Sequence, residues 1–173
     1  KSVCRNTSIH TVEIRYKQLD SELSAEITYH SIYTYMKQPV DYIATWFYKE
    51  SDQEASFYPQ MGEKGNSALV HSIYMQIQIP FFITFHHYNP KARFLFFTNL
   101  HAGDLPPYLQ RLFKKLNVEV ISQPYTSRPP KGWYAAWQNQ FYVYDILKEM
   151  ENRMQTDDCL LISDDDCLCR TPL

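Results

Sequence analysis

Glycine is scarce, at 4 of 173 residues, and charged residues are only 21% of the chain. Both values exclude collagen-like and disordered classes, which need a glycine period or a high charge with few apolar groups. Net charge is −2, so no broad polyanion-binding surface is expected and nucleic acid is not an expected partner. The four cysteines, Cys4, Cys159, Cys167 and Cys169, contain no CxxC pair. That excludes the common redox and zinc-ribbon spacings. Free thiols in a reducing compartment are the simplest reading, which points to the cytoplasm, with membrane association as an alternative. No signal peptide is apparent, and no apolar run reaches the length of a bilayer span, so no transmembrane segment is expected. The chain opens on Lys1 and is read as a fragment.

Aromatic residues are plentiful instead, with 14 Tyr and 10 Phe, and 45% of the chain is apolar. This is enough for one domain with a substantial core. Residues 1–38 are read as a helical or irregular extension. Ile9, Val12, Ile14 and Tyr16 alternate as in a strand, and Leu19 to Met36 carries Leu23, Ile27 and Tyr33 at roughly helical spacing. Residues 39–173 are read as one α/β domain.

Its first strand is VDYIATWFYK, residues 40–49, entered after Pro39. Asn66 is expected to cap the following helix, which bears Leu69, Ile73 and Ile77. Pro80 should kink that helix, and Asn89-Pro90 should stop it. ARFLFFTN, residues 92–99, is a second buried strand. Asp104 is expected to cap the next helix, with Pro106 and Pro107 in its first turn and Asn117 at its end. Val118 to Ile121 reads as a third strand and Trp133 to Met150 as a third helix, with Trp137, Phe141, Tyr144 and Leu147 on one face. Strands alternating with helices imply a mainly parallel sheet with helices on both faces.

Residues 157–169 read DDCLLISDDDCLC. The apolar run Leu160–Ile162 suits a strand buried on both faces. Asp164, Asp165 and Asp166 follow it closely. Like charges packed together repel, and a hard divalent cation, Mn²⁺ or Mg²⁺, relieves that by taking carboxylate oxygens. Ligands of open α/β sheets gather at the carboxyl ends of strands. Asp164 and Asp166 are therefore candidate metal ligands beside a phosphate; a solvated acidic turn is the alternative. On a continuing strand, Cys167 and Cys169 would share a face, which admits a soft-metal site beside the commoner reading of buried thiols.

Three stretches resemble the GT-A type glycosyltransferases of the nucleotide-diphospho-sugar transferase superfamily, nearest to the glycogenin and bacterial galactosyltransferase-like family. They are FLFFTN as second strand, WQNQFYVYDIL as the helix before the acidic strand, and DDCLLISDDDCL as a DxD strand. The resemblance covers about residues 40–168 as architecture. It implies a Rossmann-like GT-A sheet, truncated here after the DxD strand, and transfer of a sugar from a nucleotide-diphosphate sugar, UDP-sugar foremost, to a glycan or other hydroxyl acceptor. Asp164 and Asp166 would hold Mn²⁺ or Mg²⁺ against the two phosphates. Asp165 would approach the ribose or sugar, and Thr45 to Tyr48 would hold the base. The helix arginine frequent in such enzymes is replaced by Gln140, a departure that Lys131 or Arg128 would have to make good. The third metal ligand and the acceptor site would lie downstream of this stretch.

The residues themselves leave alternatives open. Phe47 and Tyr48 point to opposite faces of a strand, so one of them at most stacks on a base. Asn66 could meet a phosphate at the helix N-terminus or simply cap it. Lys131 follows two prolines that could aim it into a cleft. Asn139 and Gln140 carry amides suited to sugar hydroxyls. His86 and His87 suit the C-terminal end of a helix dipole. An aspartate-dependent phosphohydrolase, and a non-catalytic nucleotide- or metal-binding fragment, are the competing functions.

Overall fold

The computed structural model describes residues 10–19, 22–31, 39–54, 56–59, 61–130 and 139–173. They fall into two compact units that divide between Gln38 and Pro39. In the first, β1 (His10–Leu19) and β2 (Glu22–Ser31) form an antiparallel pair running from His10 opposite Ser31 to Leu19 opposite Glu22. The helix expected from Leu19 to Met36 is thus a strand over residues 22–31. Leu23 and Ile27 fit a four-residue spacing, but Leu23, Ala25, Ile27 and Tyr29 also fit a two-residue one. Pairing along β1 satisfies the backbone and decides between the two periods. Ile9, Tyr33 and Met36 lie outside the described residues.

The second unit is an α/β fold. Its strands are β3 (Tyr42–Phe47), β6 (Arg93–Thr98), β7 (Val118–Ser122) and β8 (Leu160–Ile162), all parallel, in the spatial order β7-β6-β3-β8. A two-residue antiparallel pair, β4 (Phe57–Tyr58) and β5 (Glu63–Lys64), follows β3. Gly62, at φ 66°, makes the turn between them in a conformation that side chains disfavour. The helices are α1 (Ala68–Tyr88), α2 (Pro107–Leu116) and α3 (Tyr142–Arg153).

Strand alternation sends Ile43, Phe94 and Phe96 to one face, where Phe82 and Phe85 of α1 and Leu109 and Phe113 of α2 cover them. Tyr42, Ala44, Leu95 and Phe97 go to the other face, under Tyr142, Ile146 and Met150 of α3. Helices therefore cover both faces. Burial of the sheet on both sides is why β6 reads as an unbroken apolar run.

Local chemistry differs from expectation at four points. Ser67, not Asn66, caps α1; its hydroxyl accepts from Val70 N at 3.2 Å, while Asn66 donates to Asp52 at 2.7 Å. The turn that follows β5 puts Ser67 N on Lys64 O at 2.9 Å, which places Ser67 rather than Asn66 at the helix entrance. Asp104 closes a short 3₁₀ turn (Ala102–Asp104), and α2 starts at Pro107 behind an extended Pro106. Proline at the first helical position loses no hydrogen bond, so no acidic cap is required. Finally, α3 buries Tyr142, Ile146 and Met150, while Tyr144, expected on the apolar face, is exposed. Trp133 and Trp137 lie outside the described residues.

The fourth point concerns α1, which runs unbroken past Pro80 to an end at Asn89, with His86 and His87 in its last turn. At 21 residues and a mean hydropathy of 1.3 it is long and apolar enough to cross a membrane, against the expectation that no segment is. Val70, Met75, Phe81, Phe82 and Phe85 are buried within this unit, while Leu69 and Ile83 are exposed, so packing on the sheet accounts for part of its apolar character.

Candidate functional site

The sheet order places β3 between β6 and β8. The chain leaves β3 toward β6 on one side and returns to β8 on the other. This is the point where neighbouring crossovers diverge and leave a crevice beyond the carboxyl ends of the strands. A cavity of about 350 Å³ lies there. Trp46, Phe47 and Tyr48 enter it from the end of β3, and Asp164 and Asp165 from the turn after β8. Tyr58 of β4, Tyr74 of α1, and the amides Asn139 and Gln140 ahead of α3 complete the parts that matter chemically.

β8 ends at Ile162, and Ser163 N donates to Ala44 O at 3.0 Å as the last ladder bond. The three aspartates are therefore in a turn, where strand alternation no longer applies. Asp164 and Asp166 are exposed, and Asp165 is 8% exposed. The Nε2 of Gln78, a fully buried residue of α1, donates to the Asp165 carboxylate. Burial raises the Asp165 pKa to about 7; the Gln78 hydrogen bond opposes the rise, and the charges of Asp166 and Asp164 add to it. Burial, with Asp166 beside it, also raises Asp164. Tyr74 is pushed well above the usual phenol range, by burial first and then by Tyr58 and the three aspartates.

No lysine or arginine forms an ion pair with these aspartates among the described residues. Their carboxylates are hard oxygen donors that suit Mg²⁺ or Mn²⁺. Among the described residues no group of three or more His, Cys, Asp or Glu side chains gathers to hold a metal. Asp164 borders the cavity and Asp166 is exposed in the same turn, so a cation held by this pair would have to take its remaining ligands from solvent or a phosphate. The soft-metal alternative does not fit: Cys167 is exposed and Cys169 is buried, and no strand aligns them; both are free, whereas Cys159 is disulfide-bonded, against the expectation of free thiols throughout.

The other sequence candidates separate. Thr45 is fully buried in the sheet, its hydroxyl has no partner among the described residues, and it does not line the cavity. Phe47 borders the cavity yet is 5% exposed, packed edge-on to His71 and against Tyr74. Tyr48 is the half-buried ring, and its hydroxyl meets Glu54 at 2.7 Å and Arg128 Nη2 at 3.0 Å. Arg128 also stacks over Tyr125, its guanidinium carbon 3.9 Å from the ring centroid, and forms an ion pair with Glu54. Asn66 borders a separate open depression with Lys49 and His71. Gln140 reaches the cavity, and Lys131 lies outside the described residues.

Four residues were not singled out in the sequence: Tyr58, Tyr74, Gln78 and Glu50. Glu50 is 4% exposed and accepts from Ser56 N at 2.7 Å, from Ser56 Oγ and from Asn139 Nδ2. Gly65 has no room for a Cβ because the Glu50 carboxylate occupies that space. A carboxylate immediately past the first strand was the available signal for Glu50. For the other three there was none, since each is one aromatic or amide among many.

Comparison with known proteins adds no identity: no family model, no curated protein and no solved structure matches the chain.

Proposed function

We propose that this chain carries the donor-binding part of a metal-dependent glycosyltransferase that uses a nucleotide-diphosphate sugar, with UDP-sugar the first choice. The observation that carries the reading is the cavity at the divergence of β3 and β8, which joins aromatic walls to the Asp164–Asp166 turn. A base needs an aromatic face, and Tyr48, which borders the cavity while packing on Tyr125 and Tyr142, would have to offer one. A diphosphate needs countercharge, and no basic side chain lines the cavity among the described residues. A divalent cation on Asp164 and Asp166 would supply that charge and act as a Lewis acid on the leaving nucleoside diphosphate. Asn139 and Gln140 line the same cavity, and their amides would serve ribose or sugar groups.

Calorimetric titration with UDP and Mn²⁺, separately and together, tests the reading. Tighter UDP binding with Mn²⁺ than without it is the expected result. Equal heats with and without metal, or no binding of UDP under either condition, would reject it. The specific GT-A assignment, the transferred sugar and the hydroxyl acceptor belong to this proposal and rest on the same site.

A further inference from the structure

Asn139 stands at the cavity wall with one end of its amide committed. Its Nδ2 donates to the buried Glu50 carboxylate and lies 3.5 Å from the Tyr58 hydroxyl. A carboxylate only accepts hydrogen bonds, so the NH₂ end must face Glu50. The Oδ1 end is thereby left for the cavity, and no protein donor meets it among the described residues. Glu50 itself cannot turn away. Ser56 N, a backbone donor with a fixed direction, holds its Oε2 at 2.7 Å, and the Ser56 hydroxyl shares Oε1 with Asn139. Gly65 packs on the same carboxylate where a side chain would collide with it.

We infer that Glu50 is a positioning residue that locks the Asn139 amide with its carbonyl toward the cavity, so that the site selects a ligand bearing an N–H or O–H donor at that point. The inference deepens the proposed function, because two groups of a nucleotide sugar present such a donor: the imide N–H of uracil and a hydroxyl of ribose or sugar. Cytosine presents an acceptor where uracil presents the imide N–H, so the two bases distinguish the first source.

Glu50→Gln inverts the lock. Ser56 N still requires an oxygen opposite it, so the new amide must turn its NH₂ toward Asn139. Asn139 then has to offer its oxygen inward and its NH₂ to the cavity. The experiment has two arms on the full chain. In the first, proton exchange of the Asn139 side-chain amide is followed by NMR in the parent and in Glu50→Gln. Slow exchange in the parent and fast exchange in the variant is expected; equal exchange overturns the lock.

In the second arm, affinities for UDP, CDP and UDP-glucose are measured with saturating Mn²⁺ in the parent, Glu50→Gln and Asn139→Ala. If the donor is the uracil imide, Glu50→Gln lowers the UDP-to-CDP affinity ratio about tenfold, the size of one buried hydrogen bond made or lost. If the donor is a sugar hydroxyl, Asn139→Ala removes the gain of UDP-glucose over UDP and leaves UDP unchanged. A ribose hydroxyl shows as an equal loss for all three ligands in Asn139→Ala. Asn139→Ala also keeps this arm decisive should Glu50→Gln fail to fold. Parent affinities retained throughout in both variants overturn the selection of a donor. Failure of the parent to bind any of the three rejects the nucleotide-sugar reading, and the exchange arm then decides the Asn139 lock alone.

Discussion

Gln78 of α1 donates a hydrogen bond to Asp165, 87 residues away in the chain. This bond ties the central helix to the acidic turn and holds a carboxyl group whose burial raises its pKa to about 7. In an unfolded chain an aspartate titrates at about 3.9. The folded state therefore binds the extra proton between these values, and stability falls as pH rises from about 4 to about 7. A difference of about three units corresponds to at most about 4 kcal/mol. Urea unfolding of the metal-free protein should show greater stability at pH 5 than at pH 8. Asp165→Asn should flatten most of that difference and stabilise the protein at pH 8. An Asp165→Asn variant with the parent's pH slope would place the penalty elsewhere.

Asp145 shows the opposite case. Burial disfavours its charge, but Ser127 N (2.9 Å), the Thr126 hydroxyl (2.6 Å), Thr126 N (2.7 Å) and the Ser127 hydroxyl (2.8 Å) outweigh it and bring its pKa to about 2. Its stabilisation is complete above the unfolded value and is lost as pH falls through about 2. The size is roughly 2 kcal/mol. Asp145→Asn should lose about that much at pH 7 and nearly nothing at pH 2, as read by chemical denaturation. A loss that is the same at both pH values would show that packing, and not the charge, is what Asp145 contributes.

Metal dependence should follow the exposed pair of the turn. Mn²⁺ with UDP is expected to raise the melting temperature more than UDP alone, because a ligand that binds only the native state stabilises it by mass action, about 2.7 kcal/mol at a hundredfold excess over Kd. Asp166→Asn should remove the metal-dependent part and Asp165→Asn should spare most of it. An Asp164→Asn, Asp166→Asn double variant with the parent's response to saturating Mn²⁺ would exclude the pair as ligands.

Tyr48 and Phe47, adjacent on β3, should separate binding from stability. Tyr48→Ala is expected to weaken UDP binding by roughly 1–3 kcal/mol if the ring stacks on the base. Phe47→Ala removes a buried ring packed on His71 and Tyr74, so it should cost about 3–5 kcal/mol of folding stability. Thermal melts and UDP titrations on both variants check this. Unchanged UDP affinity in Tyr48→Ala would remove that ring from the site.

The sequence by itself determined the sheet strands and the composition of its core. β3, β6, β7 and β8 are short, largely apolar runs bounded by polar residues, the pattern of strands in a sheet covered on both faces. The ends of α1 and α2 at Asn89 and Asn117 were legible for a similar reason: Asn89-Pro90 stops a helix, and Asn117 tolerates the left-handed turn it adopts at φ 54°. The acidic turn and the aromatic end of β3 were also visible as stretches.

Only the tertiary structure decided which members of those stretches matter. Asp165 rather than its neighbours is buried because β8 ends at Ile162, two residues before the first aspartate, and a turn does not keep the two-residue period. β2 is a strand because β1 pairs with it, although its apolar spacing also suits a helix. Ser67 caps α1 in place of Asn66 because the turn after β5 sets which residue arrives at the helix entrance. Asn139 and Asp165 meet at one cavity, each held from behind by a residue far away in the chain, Glu50 for Asn139 and Gln78 for Asp165. Local pattern carries periodicity and termini, whereas long-range hydrogen bonds and burial depend on strand order, and strand order is set by the packing of the whole unit.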